Sequence, residues 1–196
     1  AGADDNGSGS AALVALMHTL ATRNETDPLD RTIAFLWTAG EEEGLVGAAF
    51  FVDNTPSSIP VANIKQVVNL DMVGRWSDTR FSIGTDGSAP SSAASLLVEA
   101  ANAEMPRPFS RVNRDVQQFV RRQDGHAFTR RGIPALFIFE GLSNPAGGGR
   151  LMADYHRRSD TVAALIADNG GRKLRRITQM LARAVPRIVN ALPQSP

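Results

Sequence analysis

Apolar residues recur with helical spacing in four segments of the chain. The first segment begins at Ser8 or Ser10, either of which can cap a helix, and ends near Arg23. Its apolar face consists of Ala12, Leu13, Leu16, Met17 and Leu20. The same periodicity predicts helices over about 45–53, 91–103 and 168–192. We expect Pro186 to kink or shorten the last of these helices.

Continuous apolar runs lie between the predicted helices and are short enough to be buried strands. Ile33–Thr38, Ile64–Met72 and Ala135–Phe139 are such runs, and Phe81–Ile83 is a shorter one. The glycine content of residues 143–155 predicts a long loop. Because helices alternate with buried strands, the sequence predicts an α/β fold, a three-layer α/β/α sandwich, formed by one domain over residues 1–196.

Acidic residues follow three of the predicted strands. Glu41 and Glu42 come directly after the 33–38 run, Asp71 ends the 64–72 run, and Glu140 follows the 135–139 run. In open α/β sheets the functional residues gather at the carboxyl ends of the strands. The positions of these acids therefore predict a polar site at one edge of the sheet.

Composition excludes several classes of function. The chain has 196 residues and a hydrophobic fraction of 42%, so it can bury a core. Its net charge of +1 gives it no overall electrostatic attraction for nucleic acid or for an anionic membrane. It has no cysteine, which excludes disulfides and thiolate metal sites. No apolar run approaches the ~20 residues that span a bilayer. We expect neither a nucleic-acid nor a membrane partner.

Each acidic group also fits a purely structural role when it is considered alone. Asp71 lies among apolar residues, where a carboxylate is costly unless it is paired, hydrogen-bonded or bound to a metal. A hydrogen-bonded carboxylate that faces a loop satisfies that requirement without a metal. The run Glu41–Glu43 fits a solvated helix N-terminus, where the helix dipole favours acids.

Histidine and carboxylate are the ligands that zinc uses when cysteine is absent. His18 lies within a predicted helix and His126 near a helix start, whereas His156 lies in a loop with Asp160 and Thr161 after it. A site with two zinc ions needs about five protein ligands from several loops. Four loops offer Asp5, Glu42, Asp71 and His156, and Glu41 lies beside one of them as a possible base.

Competing chemistries have less support in the sequence. The chain contains no G-x-S-x-G nucleophile motif and no cysteine nucleophile. The glycines at 147–149 are followed by no lysine and fit no Walker pattern. No stripe of basic and aromatic residues indicates a nucleic-acid surface.

Five short segments, in order along residues 2–161, resemble the co-catalytic zinc aminopeptidases of metallopeptidase family twenty-eight. They read GADDNGSG, TAGEEEGLVGA, NLDMVG, GIPALFIFEG and YHRRSDT. Each segment alone is a weak signal, but five in the right order form a specific match. The resemblance implies a mixed, mostly parallel sheet, zinc as cofactor, and peptides with a free N-terminus as substrates.

The resemblance also implies a role for each matched residue. Asp5 would bridge two zinc ions, Glu42 and His156 would ligate one ion, and Asp71 would ligate the other. Glu41 would be the general base that takes a proton from the zinc-activated water. Asp160 would support the site from outside the ligand set.

Two departures from the family pattern limit these expectations. The family's remaining ligand is a His in a His-x-Asp segment upstream of the Asp-Asp-Asn loop, so we expect the domain to be truncated at its N-terminus and to hold one zinc ion or none. Relatives have Asp-His where this chain has Asp124-Gly125, which puts a substrate-contact role of Asp124 or His126 in doubt. Secretion or a periplasmic location is expected from the family alone.

Two other functions stay open at this point. One is a different zinc hydrolase or acyltransferase of the same fold, similar to carboxypeptidases or glutaminyl cyclases. The other is a binding module that keeps the fold without catalysis. The sequence indicates neither the preferred N-terminal residue of a substrate nor the oligomeric state.

Overall fold

A computed structural model describes residues 2–76, 78–142 and 150–192. Within these ranges the helices are α1 (Gly7–Asn24), α2 (Val46–Asp53), α3 (Ala89–Ala103), α4 (Gly125–Thr129), α5 (Val162–Asn169) and α6 (Arg172–Ala191). The strands are β1 (Val67–Leu70), β2 (Arg80–Thr85), β3 (Arg111–Asn113) and β4 (Ala135–Phe139). Single 3-10 turns occupy residues 61–63 and 117–119. The first half of the predicted glycine-rich loop, residues 143–149, lies outside the described residues.

The four strands form one mixed sheet in the order β1-β4-β2-β3. β1 runs parallel to β4, with Leu70 opposite Ile138, and β2 runs parallel to β3. β2 and β4 are antiparallel, with Ile83 opposite Ile138. The predicted mixed, mostly parallel sheet is therefore confirmed. Because β1 and β4 are parallel, the residues that follow them emerge at the same edge of the sheet.

Helices cover both faces of the sheet, which confirms the predicted three-layer fold. Helices α1, α3 and α6 pack on one face, and α2 and α4 pack on the other. Side chains of β4 alternate between the faces, so Leu136 and Ile138 join the core under α3 and α6, whereas Phe137 and Phe139 join a smaller cluster with Met72. No helix within the described ranges has the length and apolar character needed to cross a bilayer.

Most of the predicted elements are present, with changed limits. The strand at 135–139 matches its prediction, whereas the 64–72 run forms a strand only over Val67–Leu70. The predicted helix over 168–192 is two helices, because Gly170 and Gly171 adopt left-handed backbone angles that end α5 and begin α6. Pro186 lies inside α6 without ending it. The cap of α1 is Asn6 and not Ser8 or Ser10, since the Asn6 side chain accepts a hydrogen bond from the Gly9 N–H.

The prediction of a buried strand over Ile33–Thr38 is wrong. This segment pairs with no strand in the described part of the chain, and side chains such as Trp37 are exposed. A groove of about 1020 Å³ lies between the segment and the open edge of β1. Its apolar floor comes from α1 and α6, through residues such as Leu16 and Leu181. A strand needs a neighbour to satisfy its backbone groups, and here the groove separates the two.

We expect Ile138→Ala to lower the free energy of unfolding by about 2–5 kcal/mol, because Ile138 is fully buried in the central strand and truncation leaves a cavity. The matched control is Leu96→Ala on α3, where the side chain is 63% exposed and we expect a loss below about 1 kcal/mol. Urea unfolding followed by circular dichroism measures both. Equal losses in the two variants would contradict the placement of the core.

Candidate metal centre

The loop over residues 2–6, which carries Asp5, is fixed by hydrogen bonds from distant parts of the chain. The Asp160 carboxylate accepts the Asp4 N–H at 3.1 Å on both oxygens and the Asp5 N–H at 3.1 Å. Asn6 Nδ2 donates to the Leu70 carbonyl at 2.9 Å, and Asn6 Oδ1 accepts the Met72 N–H at 3.2 Å. These bonds join the loop to the end of β1, so Asp5 and Asp71 lie at the same edge of the sheet.

Asp5, Glu42 and His156 lie together at this edge. Each offers one ligand atom, and these atoms all lie within 4.8 Å of one another. His156 Nε2 is 3.2 Å from Asp5 Oδ2 and 3.4 Å from Glu42 Oε1. The ring of Tyr155 stacks on the His156 ring with centroids 3.8 Å apart. One imidazole nitrogen thus meets two carboxylates, a donor set that a divalent cation can bind.

Asp71 and Glu41 line a pocket of about 40 Å³ next to this cluster. The same pocket is lined by Asp5, Tyr155 and His156. Asp71 therefore faces the site, but its oxygens do not belong to the group of atoms within 4.8 Å of one another. The structure brings three of the four predicted ligands into one cluster and places the fourth beside it.

Burial and mutual repulsion raise the pKa values of these acids. The pKa of Glu41 rises to about 7, first because burial disfavours the charged form and then because Asp124, Asp5 and Glu42 repel a negative charge. Burial, followed by repulsion from Asp5 and Glu41, raises the pKa of Asp71 well above its usual value. Burial also raises the pKa of Asp5, although the nearby His156 opposes this shift. The site therefore concentrates acidic side chains, and these attract cations when they are ionised.

Asp124 lies near Glu41, whereas the other two histidines lie outside the site. The Thr38 hydroxyl donates to Asp124 Oδ2 at 2.5 Å, and burial raises the pKa of Asp124. His126 Nδ1 pairs with the Thr129 hydroxyl at 3.1 Å on α4. His18 is exposed on α1. Neither histidine belongs to the cluster of Asp5, Glu42 and His156.

Sequence reasoning missed the buried lysine below the site. Lys173 lies on α6 with no exposed surface, and its Nζ donates to the Glu140 backbone carbonyl. A lysine among arginines in an amphipathic helix gives no signal of burial, because such residues normally face solvent. Sequence reasoning placed Glu140 at the sheet edge but gave it no role, and in the structure it is also fully buried.

The family of the chain follows from a comparison with known proteins. The family model described as Peptidase family M28 matches residues 1–183, nearly the whole chain. The chain belongs to peptidase family M28. This result confirms the resemblance that the five sequence segments indicated.

One curated protein and two solved structures illustrate what this chain is similar to. Leucine aminopeptidase 2 of Trichophyton rubrum is 29% identical over 179 aligned residues, which cover 83% of this chain and 34% of that protein. The chain thus spans about a third of the length of this curated relative. A zinc aminopeptidase from Bacillus subtilis has the same fold, with a TM-score of 0.74 at 22% identity over 98% of this chain and 44% of its own. The gamma-secretase component Nicastrin matches with a TM-score of 0.77 at 15% identity, over 98% of this chain and 38% of its own. At such identities the two solved structures support the fold alone.

We expect Asp160→Ala to lower the free energy of unfolding by about 2 kcal/mol or more, because it leaves the buried Asp4 N–H and the partly buried Asp5 N–H without their charged acceptor. Asp27→Ala is the control, since the Asp27 side chain forms an exposed ion pair with Arg23, worth about 0.5 kcal/mol. Thermal and urea unfolding of both variants measure the difference. A loss for Asp160→Ala no larger than for Asp27→Ala would refute the role of Asp160 as the support of this loop.

Proposed function

We propose that this chain is the catalytic domain of a zinc-dependent aminopeptidase, which hydrolyses the peptide bond after the N-terminal residue of a peptide. The observation that carries the proposal is the convergence of Asp5, Glu42 and His156 donor atoms within 4.8 Å. Further support comes from the family and from the leucine aminopeptidases among its relatives. Peptides with a free N-terminus would be the substrates.

The donor set fits zinc by its chemistry. It combines an imidazole nitrogen with carboxylate oxygens and contains no thiolate, as do zinc sites that keep a position open for substrate. We assign Asp5, Glu42 and His156 to one zinc ion. Asp71 and Asp5 would hold a second, more weakly bound zinc ion, as the family resemblance implies.

Glu41 is the residue that we assign as general base. It lies half-buried in the pocket shared with Asp5 and Asp71, and its pKa of about 7 allows it to accept and release a proton near neutral pH. When bound, zinc acidifies water and polarises the scissile carbonyl. Glu41 would accept a proton from the attacking water and deliver it to the nitrogen of the departing amine. Glu41 would therefore be deprotonated again at the end of each turnover.

The acidic pocket also accounts for a preference for the amino end of a peptide. Asp5, Glu41 and Asp71 line it, and at pH values where they are ionised they attract the α-ammonium group of a substrate. A C-terminal carboxylate would be repelled at the same place. This difference favours aminopeptidase over carboxypeptidase activity on the same fold.

We expect isothermal titration calorimetry with ZnCl₂ to give one tight site per chain, since only three donor atoms converge in the described residues and Asp71 lies outside their cluster. His156→Ala removes the nitrogen ligand and should weaken zinc binding by about 100-fold or more. His126→Ala is the control, because His126 pairs with Thr129 away from the site. Two tight sites per chain, or unchanged affinity in His156→Ala, would count against this ligand assignment.

We expect Glu41→Gln to lower kcat by about 10²–10⁴-fold without loss of bound zinc, because an amide cannot accept the proton of water. Glu43→Gln is the matched control, since Glu43 is the exposed neighbour in the same turn. The assay is hydrolysis of leucine p-nitroanilide, with zinc content measured in parallel. Normal turnover in Glu41→Gln would remove Glu41 from the role of base.

A further inference from the structure

The turn over residues 152–160 carries His156, the nitrogen donor of the metal centre. His156 has a φ of 58°, in the left-handed region that residues other than glycine rarely adopt. Such a backbone conformation is unfavourable and persists only where the surrounding structure holds it. Hydrogen bonds within the turn are donated by the N–H groups of Tyr155, Arg157 and Asp160. These bonds shape the turn, but they do not attach it to the rest of the protein.

Arg75, in the loop that follows β1, binds this turn from outside. Its Nη2 donates to Asp154 Oδ2 at 2.9 Å, and its Nε donates to Asp168 Oδ2 at 3.3 Å. Asp154 comes two residues before His156, and Asp168 lies near the end of α5, the helix that follows the turn. One guanidinium thus joins the two ends of the segment 154–168, which contains His156.

The backbone on both sides of Arg75 is itself attached to the end of α5. Asp168 Oδ2 accepts the Trp76 N–H at 2.6 Å. Asn169 Nδ2 donates to the Gly74 carbonyl at 2.7 Å. Because its two neighbours are bound in this way, Arg75 extends from a fixed stretch of backbone, and its contact with Asp154 fixes the turn relative to that stretch.

The contact between Arg75 and Asp154 is partly shielded from solvent. The Arg75 side chain is 12% exposed and the Asp154 side chain 23%. By contrast, the side chains of Arg187 and Glu104, which join α6 to the end of α3, are 38% and 56% exposed. Water and salt screen a partly buried ion pair less than an exposed one. The Arg75 contact therefore holds its two segments together more strongly than an exposed pair would.

We propose that Arg75 is a positioning residue of the metal centre: its guanidinium holds the turn that carries His156 against the loop that follows β1. Asp160 holds the other side of the turn, through two backbone N–H groups of the loop that carries Asp5. With both sides held, His156 Nε2 stays beside the carboxylates of Asp5 and Glu42. For its effect on zinc, this inference rests on the proposed function.

The first test is amide hydrogen exchange, followed by NMR, in the metal-free protein. Arg75→Gln removes the guanidinium and keeps the backbone N–H. The amides of Tyr155 and Arg157 should then exchange about tenfold faster or more, because the turn opens more often. Arg187→Gln, which breaks the exposed pair with Glu104, is the matched control and should leave these amides within about threefold of the wild type.

Zinc affinity is the second measurement, made by calorimetry at a temperature where every variant is folded. Arg75→Gln should bind zinc about tenfold more weakly or worse, since residues that orient a metal ligand have effects of this size. Arg187→Gln should keep the wild-type zinc affinity, even if it lowers the stability of the protein.

A double-mutant cycle tests whether Arg75 acts through Asp154. Asp154→Ala removes the acceptor in the turn and should also weaken zinc binding. In the double variant Arg75→Gln/Asp154→Ala, the loss of affinity should be smaller than the product of the two single losses by about threefold or more, because both changes break the same contact. Losses that simply multiply would show that the two side chains act independently, and would overturn the inference.

The remaining outcomes also decide the matter. Unchanged exchange of Tyr155 and Arg157 in Arg75→Gln contradicts the inference, and so does an unchanged zinc affinity. Equal weakening of zinc binding in Arg187→Gln contradicts it as well, since the effect would then be a general loss of stability. Should Arg75→Gln fail to fold, Asp154→Ala replaces it in both measurements with the same expected results. If the wild type binds no zinc, the proposed function fails, while the exchange rates still show whether Arg75 holds the turn.

Discussion

The site depends on keeping many carboxyl groups together at the carboxyl ends of β1 and β4. Asp4, Asp5, Glu41, Asp71 and Glu140 all have raised pKa values there, in each case first because burial disfavours the charged form. Such a group of acids repels itself and opposes folding unless each member is compensated. The ways in which the chain compensates them determine the structure of the surrounding loops.

Two kinds of compensation are visible. Backbone N–H groups supply the first, as at Asp160, whose carboxylate binds the Asp4 and Asp5 amides. A buried cation supplies the second, at Lys173. At the pocket, Asp5 and Glu42 meet the imidazole of His156. A divalent cation bound there would balance the charge of these carboxylates.

The sequence predicted the parts of the fold that depend on local pattern. The run at 135–139 is apolar at every position because both faces of β4 are covered, and its predicted limits match the strand. The run at 33–38 has the same apolar character, yet it does not form a strand, since strand formation also requires a partner. The hydrophobic pattern indicates which residues tend to be buried. It does not indicate whether a neighbouring strand is available for pairing. The division between α5 and α6 at Gly170–Gly171 could have been predicted from the glycine pair.

For the site, the sequence predicted which loops carry the functional residues better than it predicted the contacts that these residues make. Asp5, Glu42 and His156 were selected from motif order, and the structure brings them together. The burial of Lys173 could not be predicted from the sequence. It depends on how closely α6 packs against the sheet, and no local sequence pattern indicates that. The resemblance indicated that Asp160 supports the site. It did not indicate how, because the backbone N–H donor of Asp5, 155 residues away in sequence, leaves no mark on residue type.

The turn at 39–47 shows how neighbouring acids of the same type acquire different environments. The Gly47 N–H bonds to the Ala39 carbonyl at 2.9 Å, and a Cβ on Gly47 would lie 2.3 Å from that oxygen, so the turn closes only with glycine there. Closure directs Glu41 into the pocket, where its pKa rises, and leaves Glu42 and Glu43 exposed. Although Glu42 is exposed, its Oε1 lies 3.4 Å from His156 Nε2. Backbone geometry, and not side-chain chemistry, therefore separates an inward acid from an outward one within a single Glu-Glu-Glu run.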